Sequence, residues 1–238
     1  MRLGVLLPTF RSSPRDAIAA AGEAAAVGLD GVFAYDHLWP MGSPERPAIA
    51  PFEVLAAVAE RQPTLVVGPL VARIGLVDDE VLLGQCRALG IVADGRVIVG
   101  LGTGDRLSRE ENIAYGLRYL EPDVRRASLR DTAKALHDEG MEVWVGGDAP
   151  ATRVIATAIG CTLNLWDADV EEVRAASANG PVSWAGPPPR PDGSIDEEAL
   201  TGLLAALAGA GATWAVFAPQ VPIELLGRLR GSADWSER

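Results

Sequence analysis

Residues 28–38 read Gly-Leu-Asp-Gly-Val-Phe-Ala-Tyr-Asp-His-Leu, and this stretch decides how the chain is organised. An Ala-rich segment of helical pattern, 14–27, precedes it, and the glycine that follows is a typical C-terminal stop for a helix. The apolar run 31–35 then predicts a buried strand, and Asp36 and His37 come directly after it. A helix followed by a short strand that ends in reactive side chains is typical of parallel α/β folds.

The same unit recurs along the whole chain. The predicted strands are 3–7, 31–35, 64–71, 97–101, 142–145, 162–166, 181–185 and 213–218. The predicted helices are 14–27 (with Ser13 as N-cap), 51–61, 78–92, 122–139, 151–159, 170–178, 196–208 and 223–229. Eight β-α units predict an α/β fold, a (β/α)8 TIM barrel, as a single domain over 1–238. An open doubly wound sheet is the alternative, but no Gly-x-Gly-x-x-Gly turn follows the first strand.

The composition indicates an acidic protein with a full hydrophobic core. The chain has 238 residues, with 21 Lys and Arg against 32 Asp and Glu, and a net charge of −11. This balance argues against a nucleic-acid or anionic membrane surface, which needs clustered cations. No apolar stretch approaches the length of a membrane span or of a signal peptide core. Cys86 and Cys161 lie far apart without metal-binding spacing, so we expect reduced thiols, no metal site and a cytoplasmic protein.

Histidine is scarce in this chain, which makes its positions informative. His37 follows the second predicted strand, whereas His137 falls on a solvent-facing position of a helical pattern. An imidazole exchanges protons near neutral pH, and the C-terminal end of a barrel strand points into the usual active-site mouth. The alternative is a packed histidine that bonds only to backbone. The adjacent Asp36 could bind a cofactor ring or orient the imidazole, and Trp39 could form a wall of the pocket.

Two glycine-rich turns follow the fourth and fifth predicted strands. They read Gly102-Thr103-Gly104-Asp105 and Gly146-Gly147-Asp148. Glycine lets a flat ring or a phosphate approach the backbone, and the second turn opens a helix, whose N-terminal N–H groups bind anions. Asp105 could act as a proton donor or cap the next helix. Either turn could equally be a tight connection without a ligand. Arg73 follows the third predicted strand, where it could bind an anion or form an ion pair within the protein.

Together these segments resemble the luciferase-like flavin and deazaflavin oxidoreductases, a family of (β/α)8 barrels. The run Gly31-Val32-Phe33-Ala34-Tyr35-Asp36-His37-Leu38 is similar to the family's second strand, which ends in Ser-Asp-His-Leu. The block from Leu65 to Asp105 is similar to its third and fourth strands, and Glu142-Val143-Trp144-Val145-Gly146-Gly147 is similar to its Pro-Val-Trp-x-Gly-Gly element. The resemblance covers nearly the whole chain.

The resemblance implies a cofactor at the C-terminal mouth of the barrel, coenzyme F-420 or alternatively FMN. It implies catalytic roles for His37 and Asp105. It implies cofactor contacts from a further set: Asp36, Trp39, Leu70, Val71, Gly102, Thr103, Gly104, Gly146 and Gly147. Family members often carry a non-proline cis peptide in the third strand, which by position falls near Leu70-Val71. They commonly form homodimers through helices near strands two and three.

The implied function is hydride transfer between coenzyme F-420 and a small organic substrate. Two alternatives stay open: an FMN-dependent monooxygenase of the same fold, and a cofactor-free barrel that binds a ligand or serves as a scaffold. The chain departs from the family at Pro69, where a small polar residue is common, and in the short segment 107–141. The short segment predicts an open or small pocket, or one that a partner subunit completes.

Overall fold

The computed structural model describes residues 1–11, 13–40, 42–104, 106–147, 149–190 and 194–232. Within these ranges the chain alternates strands with helices, as the sequence predicts. The strands are β1 Arg2–Leu6, β2 Gly31–Ala34, β3 Val66–Pro69, β4 Ala72–Arg73, β5 Ile98–Gly102, β6 Glu142–Gly146, β7 Thr162–Trp166, β8 Val182–Gly186 and β9 Ala212–Phe217. The helices are α1 Arg15–Ala26, α2 Pro51–Arg61, α3 Asp79–Val92, α4 Arg106–Ala114, α5 Pro122–Asp138, α6 Pro150–Ile159, α7 Val170–Ser177, α8 Glu197–Gly209 and α9 Ile223–Ser232.

The strands form one parallel sheet that closes on itself. Their order is β3-β2-β1-β9-β8-β7-β6-β5-β4, and β3 and β4 are two halves of a single barrel strand. Val67 in β3 makes a parallel bridge with Val97, just before β5, and its N–H donates to the Arg96 carbonyl at 3.0 Å. Because β3 and β4 count as one, the closed ring has eight strand positions, which we call staves. This confirms the predicted (β/α)8 barrel and excludes the open sheet.

Three local predictions need correction. The third strand, predicted as continuous over 64–71, is broken between β3 and β4. The helix α4 was not predicted, because its sequence is mostly polar and holds few apolar residues. Ser13 is not the N-cap of α1: Pro14 occupies that position, while the Ser13 hydroxyl accepts from the Arg15 N–H at 3.3 Å. By contrast, Asp78, Asp169 and Asp196 cap α3, α7 and α8 with their side chains.

Aromatic rings fill the inside of the barrel. Phe33 packs on Trp144 and Trp214, with ring centroids 5.3 and 5.6 Å apart. The inner cluster also contains Leu6, Leu70, Ile98, Ala185 and Val216, and a larger apolar layer separates the strands from the helices. Gly31 makes room for this filling, because a Cβ there would lie 3.1 Å from the Trp214 ring. In the described ranges, no helix has the length and apolar character needed to cross a membrane.

Candidate active site

A buried carboxylate on α4 joins the ends of two barrel strands. The Glu111 Oε1 atom lies 2.7 Å from His37 Nδ1, and Oε2 accepts the Leu38 N–H at 2.9 Å. The same Oε2 lies 3.0 Å from a terminal nitrogen of Arg73, at the end of β4. The Glu111 side chain is only 1% exposed, whereas that of His37 is 19% exposed. Glu111 therefore holds the imidazole at Nδ1 and leaves Nε2 for a partner at the barrel mouth.

The charge state of Glu111 determines which nitrogen of His37 carries a proton. Burial alone would raise the pKa of Glu111, but it is outweighed by the hydrogen bonds from His37 and the Leu38 amide and by the charges of Arg73 and of His37 in its protonated form. The net pKa is below the ordinary value, so the group is a carboxylate at neutral pH. A carboxylate only accepts hydrogen bonds, so His37 Nδ1 is the donor. In the neutral imidazole, Nε2 then carries the lone pair that can take a proton.

Asp36 ties the end of β2 to the broken strand. Its Oδ2 accepts the Arg73 N–H at 2.9 Å. Burial raises the pKa of Asp36, and the hydrogen bond from Arg73 and the charges of Arg73 and His37 only partly oppose this. Arg73 itself is buried and also donates to the Ser108 carbonyl at 3.3 Å. Of the two interpretations of Arg73, the structure supports the ion-paired side chain.

The break between β3 and β4 carries the expected backbone feature, since the Leu70-Val71 peptide is cis. Leu70 belongs to the inner cluster, while Val71 packs over two glycines. A Cβ on Gly102 would lie 2.5 Å from Val71 Cγ2, and one on Gly146 would lie 2.8 Å from Val71 Cγ1. Packing against Val71 therefore explains both glycines, and their contact with a cofactor stays a prediction.

Arg125 on α5 holds the turn that follows β5. It donates to the carbonyls of Thr103 and Gly104, the latter at 3.0 Å, and its Nε donates to the Leu120 carbonyl at 3.0 Å. Its guanidinium also lies 4.3 Å from the centre of the Tyr119 ring. The predicted catalytic residue Asp105 comes directly after this turn and lies outside the described residues.

The turn after β6 leads into the helix α6. Gly146 ends β6, and Gly147 has a φ of +133°, beside the buried side chain of Thr152. Among the described residues, no side chain caps α6, and its first turn holds no acid. Pro150 has no N–H group, and those of Thr152 and Arg153 donate to the Ala149 carbonyl, so this start offers an anion such as a cofactor phosphate little beyond the Ala151 N–H and the helix dipole. Asp148, predicted as a cap here, lies outside the described residues.

Aromatic side chains surround the imidazole at the mouth. Phe10 and Tyr35 are stacked, with ring centroids 5.3 Å apart and planes 4° apart. The Trp166 ring meets Tyr35 edge-on at 6.0 Å, and we call Phe10, Tyr35 and Trp166 the mouth aromatic cluster. Trp39, predicted as a pocket wall, is buried beside Tyr115 at 5.7 Å.

Sequence reasoning missed Glu111, Arg125 and the mouth aromatic cluster. Trp166 could have been found, because it ends a predicted strand at the same edge of the barrel as His37. Glu111 could not, because its contact with His37 depends on the path of α4. A groove of about 570 Å³ lies between α6 and α7, and Cys161 and Pro181 line it. These two residues precede β7 and β8, so the groove lies near the N-terminal ends of the strands and is not part of the site around His37.

A known protein family matches the larger part of the chain. The family model for luciferase-like monooxygenases matches residues 1–139, more than half of the sequence. The chain therefore belongs to the luciferase-like monooxygenase family, which confirms the resemblance.

Two of the relatives that match this chain in sequence carry the same enzyme name. The F420-dependent glucose-6-phosphate dehydrogenase of Kribbella flavida is 29% identical over 153 residues, which are 63% of this chain and 45% of the relative. The enzyme of that name from Mycolicibacterium fortuitum is 30% identical over 149 residues, 61% of this chain and 42% of the relative. The match thus spans less than half the length of these relatives.

Solved structures share the fold over nearly the whole chain. An F420-dependent secondary alcohol dehydrogenase in complex with an F420-acetone adduct has a TM-score of 0.79 at 14% identity, covering 96% of this chain and 97% of that one. The coenzyme F420-dependent tetrahydromethanopterin reductase from Methanopyrus kandleri has a TM-score of 0.75 at 13% identity, covering 95% and 97%. An EDTA monooxygenase from Chelativorans sp. BNC1 has a TM-score of 0.74 at 13% identity, covering 99% and 94%.

Proposed function

We propose that this chain is an oxidoreductase that transfers a hydride between coenzyme F-420 and a small organic substrate. The observation that carries the proposal is the Glu111–His37 pair at 2.7 Å, which presents Nε2 of His37 at the barrel mouth as a proton acceptor. The names of the matched relatives support F-420 as the cofactor. FMN is the second candidate, because the family also includes monooxygenases.

The residues on one side of His37 fit a flat cofactor with a phosphate. Asp36 and the Leu70-Val71 break lie next to the turn Gly102-Thr103-Gly104, and the start of α6 after Gly146-Gly147 follows on the next strand. Bound there, a deazaflavin supplies a carbon atom that accepts or donates a hydride. The protein's own share is then to hold the ring and to manage the accompanying proton.

The proton has a defined path in this arrangement. When an alcohol loses a hydride, its hydroxyl proton moves to Nε2 of His37, and the ring becomes a cation. The Glu111 carboxylate at Nδ1 stabilises that cation, and the Arg73 guanidinium keeps Glu111 ionised. We propose Asp105, which follows the Gly102–Gly104 turn in sequence, as the second proton donor.

Two titrations and one pair of variants test this function. Purified protein is titrated with F-420 and with FMN, and binding is followed by fluorescence quenching. In His37→Ala, we expect F-420 binding to persist and turnover to fall about 10²–10⁴-fold, the usual contribution of a general base. His137→Ala is the matched control, because His137 is the other histidine and is exposed on α5. Tight FMN binding without F-420 binding would contradict the proposal.

We also propose that two copies pair through the outer face of α3. Val81, Gly84, Ala88 and Ile91 recur there at helical spacing, and Val81 and Ile91 are 51% and 81% exposed. The stripe has large residues at its ends and small ones in its middle. Two such helices crossing antiparallel would set Val81 against Ile91 of the second copy and Gly84 against Ala88, an isologous contact. This self-complementarity selects a second copy as the occupant.

The oligomeric state tests this pairing. Light scattering after size-exclusion chromatography should give a dimer for the wild type and a monomer for Ala88→Glu, which places a charge in the contact. Ala205→Glu, at an exposed alanine of α8, is the matched control and should stay dimeric. A monomeric wild type, or a dimer in Ala88→Glu, would overturn the assignment.

A further inference from the structure

We infer that the site takes an uncharged alcohol or carbonyl substrate with an apolar, ring-containing body, and that the mouth aromatic cluster binds that body. The inference rests on the proposed function and adds a substrate class to it. Three observations carry it: the shape of the cluster, its position relative to His37, and the state of the nearby charges.

The cluster is an apolar surface that spans the mouth. Tyr35 follows β2 and Trp166 ends β7, and these strands lie four steps apart around the eight-stave ring. Their contact therefore crosses the mouth, and Phe10 extends it on the β1 side. Trp166 is nevertheless 42% exposed. A large aromatic face left open beside polar catalytic groups is typical of a ligand surface.

The cluster lies next to the imidazole but apart from the elements that fit the cofactor. The His37 ring centroid is 6.2 Å from that of Phe10 and 6.3 Å from that of Tyr35, and both rings meet it edge-on. The cofactor elements follow β3 to β6, on the other side of His37. A substrate body that rests on the cluster therefore brings its oxygen toward His37 from the side that the cofactor elements leave free.

The described cations nearest the cluster are already engaged by acids or carbonyls, including Arg11, which follows Phe10 and lies 3.7 Å from Asp16. Arg73 is buried against Glu111, and Arg125 donates to the backbone of the Gly102–Gly104 turn. The single lysine, Lys134, is exposed on α5, where it pairs with Asp138. Asp167 directly follows Trp166, so an acid borders the cluster on the β7 side. The carboxylates of Asp167 and Glu111 would repel a phosphate bound here, whereas they would not repel a neutral molecule.

The reaction balances for this class. In the oxidative direction, the carbinol C–H bond breaks and its hydride moves to the deazaflavin, while the hydroxyl proton moves to His37 Nε2. The alcohol is oxidised to the ketone or aldehyde, and the coenzyme is reduced by two electrons. No phosphate or metal is required by this balance.

Binding in the absence of cofactor tests the inference. Calorimetric titration with 1-phenylethanol should show saturable binding, and titration with glucose 6-phosphate should show none. Trp166→Ala should weaken 1-phenylethanol binding about tenfold, the equivalent of one aromatic contact of about 1.4 kcal/mol. Trp166→Phe keeps a ring and should stay within about threefold. Phe10→Leu gives an independent second variant and should also weaken binding.

Each outcome decides between substrate and cofactor. Saturable glucose 6-phosphate binding, or unchanged 1-phenylethanol affinity in both Trp166→Ala and Phe10→Leu, would overturn the inference. If Trp166→Ala instead loses F-420 binding and keeps 1-phenylethanol binding, the cluster belongs to the cofactor and this inference is wrong while the proposed function stands. Because the alcohol titration contains no F-420, its failure is distinguishable from a failure to bind the coenzyme.

Discussion

The Glu111 carboxylate lies 3.0 Å from the Arg73 guanidinium, and the two side chains are 1% and 4% exposed. Glu111 comes from α4 and Arg73 from β4, so one buried ion pair connects a helix after the fourth stave to the end of the third. The same carboxylate holds His37 after the second stave. Three consecutive staves of the barrel therefore share one charged centre, and removing it should affect stability and catalysis together.

Glu111→Gln should destabilise the protein by about 3–5 kcal/mol, because it leaves the buried Arg73 charge without its partner. Chemical denaturation measures the loss. The double variant Glu111→Gln with Arg73→Met removes both charges and should recover most of that stability, but it should not recover turnover, because His37 still lacks its carboxylate. Equal stability of the wild type and Glu111→Gln would show that the pair is not a structural requirement.

The lowered pKa of Glu111 determines how its contribution to the unfolding free energy changes with pH. Its pKa in the folded protein is below the ordinary 4.5, so below that value the unfolded chain binds the proton first. The stability that Glu111 contributes is therefore fully present above about pH 4.5 and is lost as the pH falls through the lowered pKa. The difference in unfolding free energy between the wild type and Glu111→Gln should shrink in acid. A difference that grows below pH 4.5 would reverse the sign.

Asp36 should show the opposite dependence. Burial raises its pKa above the ordinary 3.8, so the folded protein holds this proton longer than the unfolded chain, and ionisation destabilises the fold as the pH rises from 3.8 through the raised pKa. Asp36→Asn keeps an oxygen for the Arg73 N–H and should gain stability over the wild type in that interval. The exposed Asp167→Asn is the control, with no such gain expected. Denaturation curves recorded from below pH 3.8 up to neutral pH measure the difference.

The sequence predicted the barrel and the position of His37 because both follow from local patterns. Apolar runs of strand length alternate with helical stripes, and the end of a strand marks the mouth. The break at Leu70-Val71 and its glycines could be located only by family resemblance. The partners of His37 were out of reach, because α4 is polar and Glu111 is separated from His37 by 74 residues. Local patterns therefore predict that a side chain lies at the end of a strand. They do not predict which distant segment of the chain packs against it.

A size exchange at the broken strand tests the packing role of Gly102. Gly102→Ala puts a Cβ 2.5 Å from Val71 Cγ2 and should destabilise the protein by about 1–3 kcal/mol. Combining it with Val71→Ala removes the colliding methyl groups and should recover much of that loss. Thermal unfolding of the single and double variants gives the comparison. If the double variant is as unstable as the sum of the singles, Gly102 serves another purpose than accommodating Val71.

Arg125 and its neighbour Arg126 offer a matched pair on α5. Arg125 donates to the carbonyls of Thr103, Gly104 and Leu120, whereas Arg126 is more exposed and pairs with Asp123. Arg125→Met should cost about 2–3 kcal/mol, because three half-buried carbonyls lose a charged donor, and amide hydrogen exchange at Thr103 and Gly104 should accelerate. Arg126→Met should change stability by less than about 0.5 kcal/mol, as surface ion pairs do. Because Asp105 directly follows this turn, Arg125→Met should also lower kcat more than it raises KM. An unchanged rate of amide hydrogen exchange at Gly104 would contradict the expectation that Arg125 holds the turn.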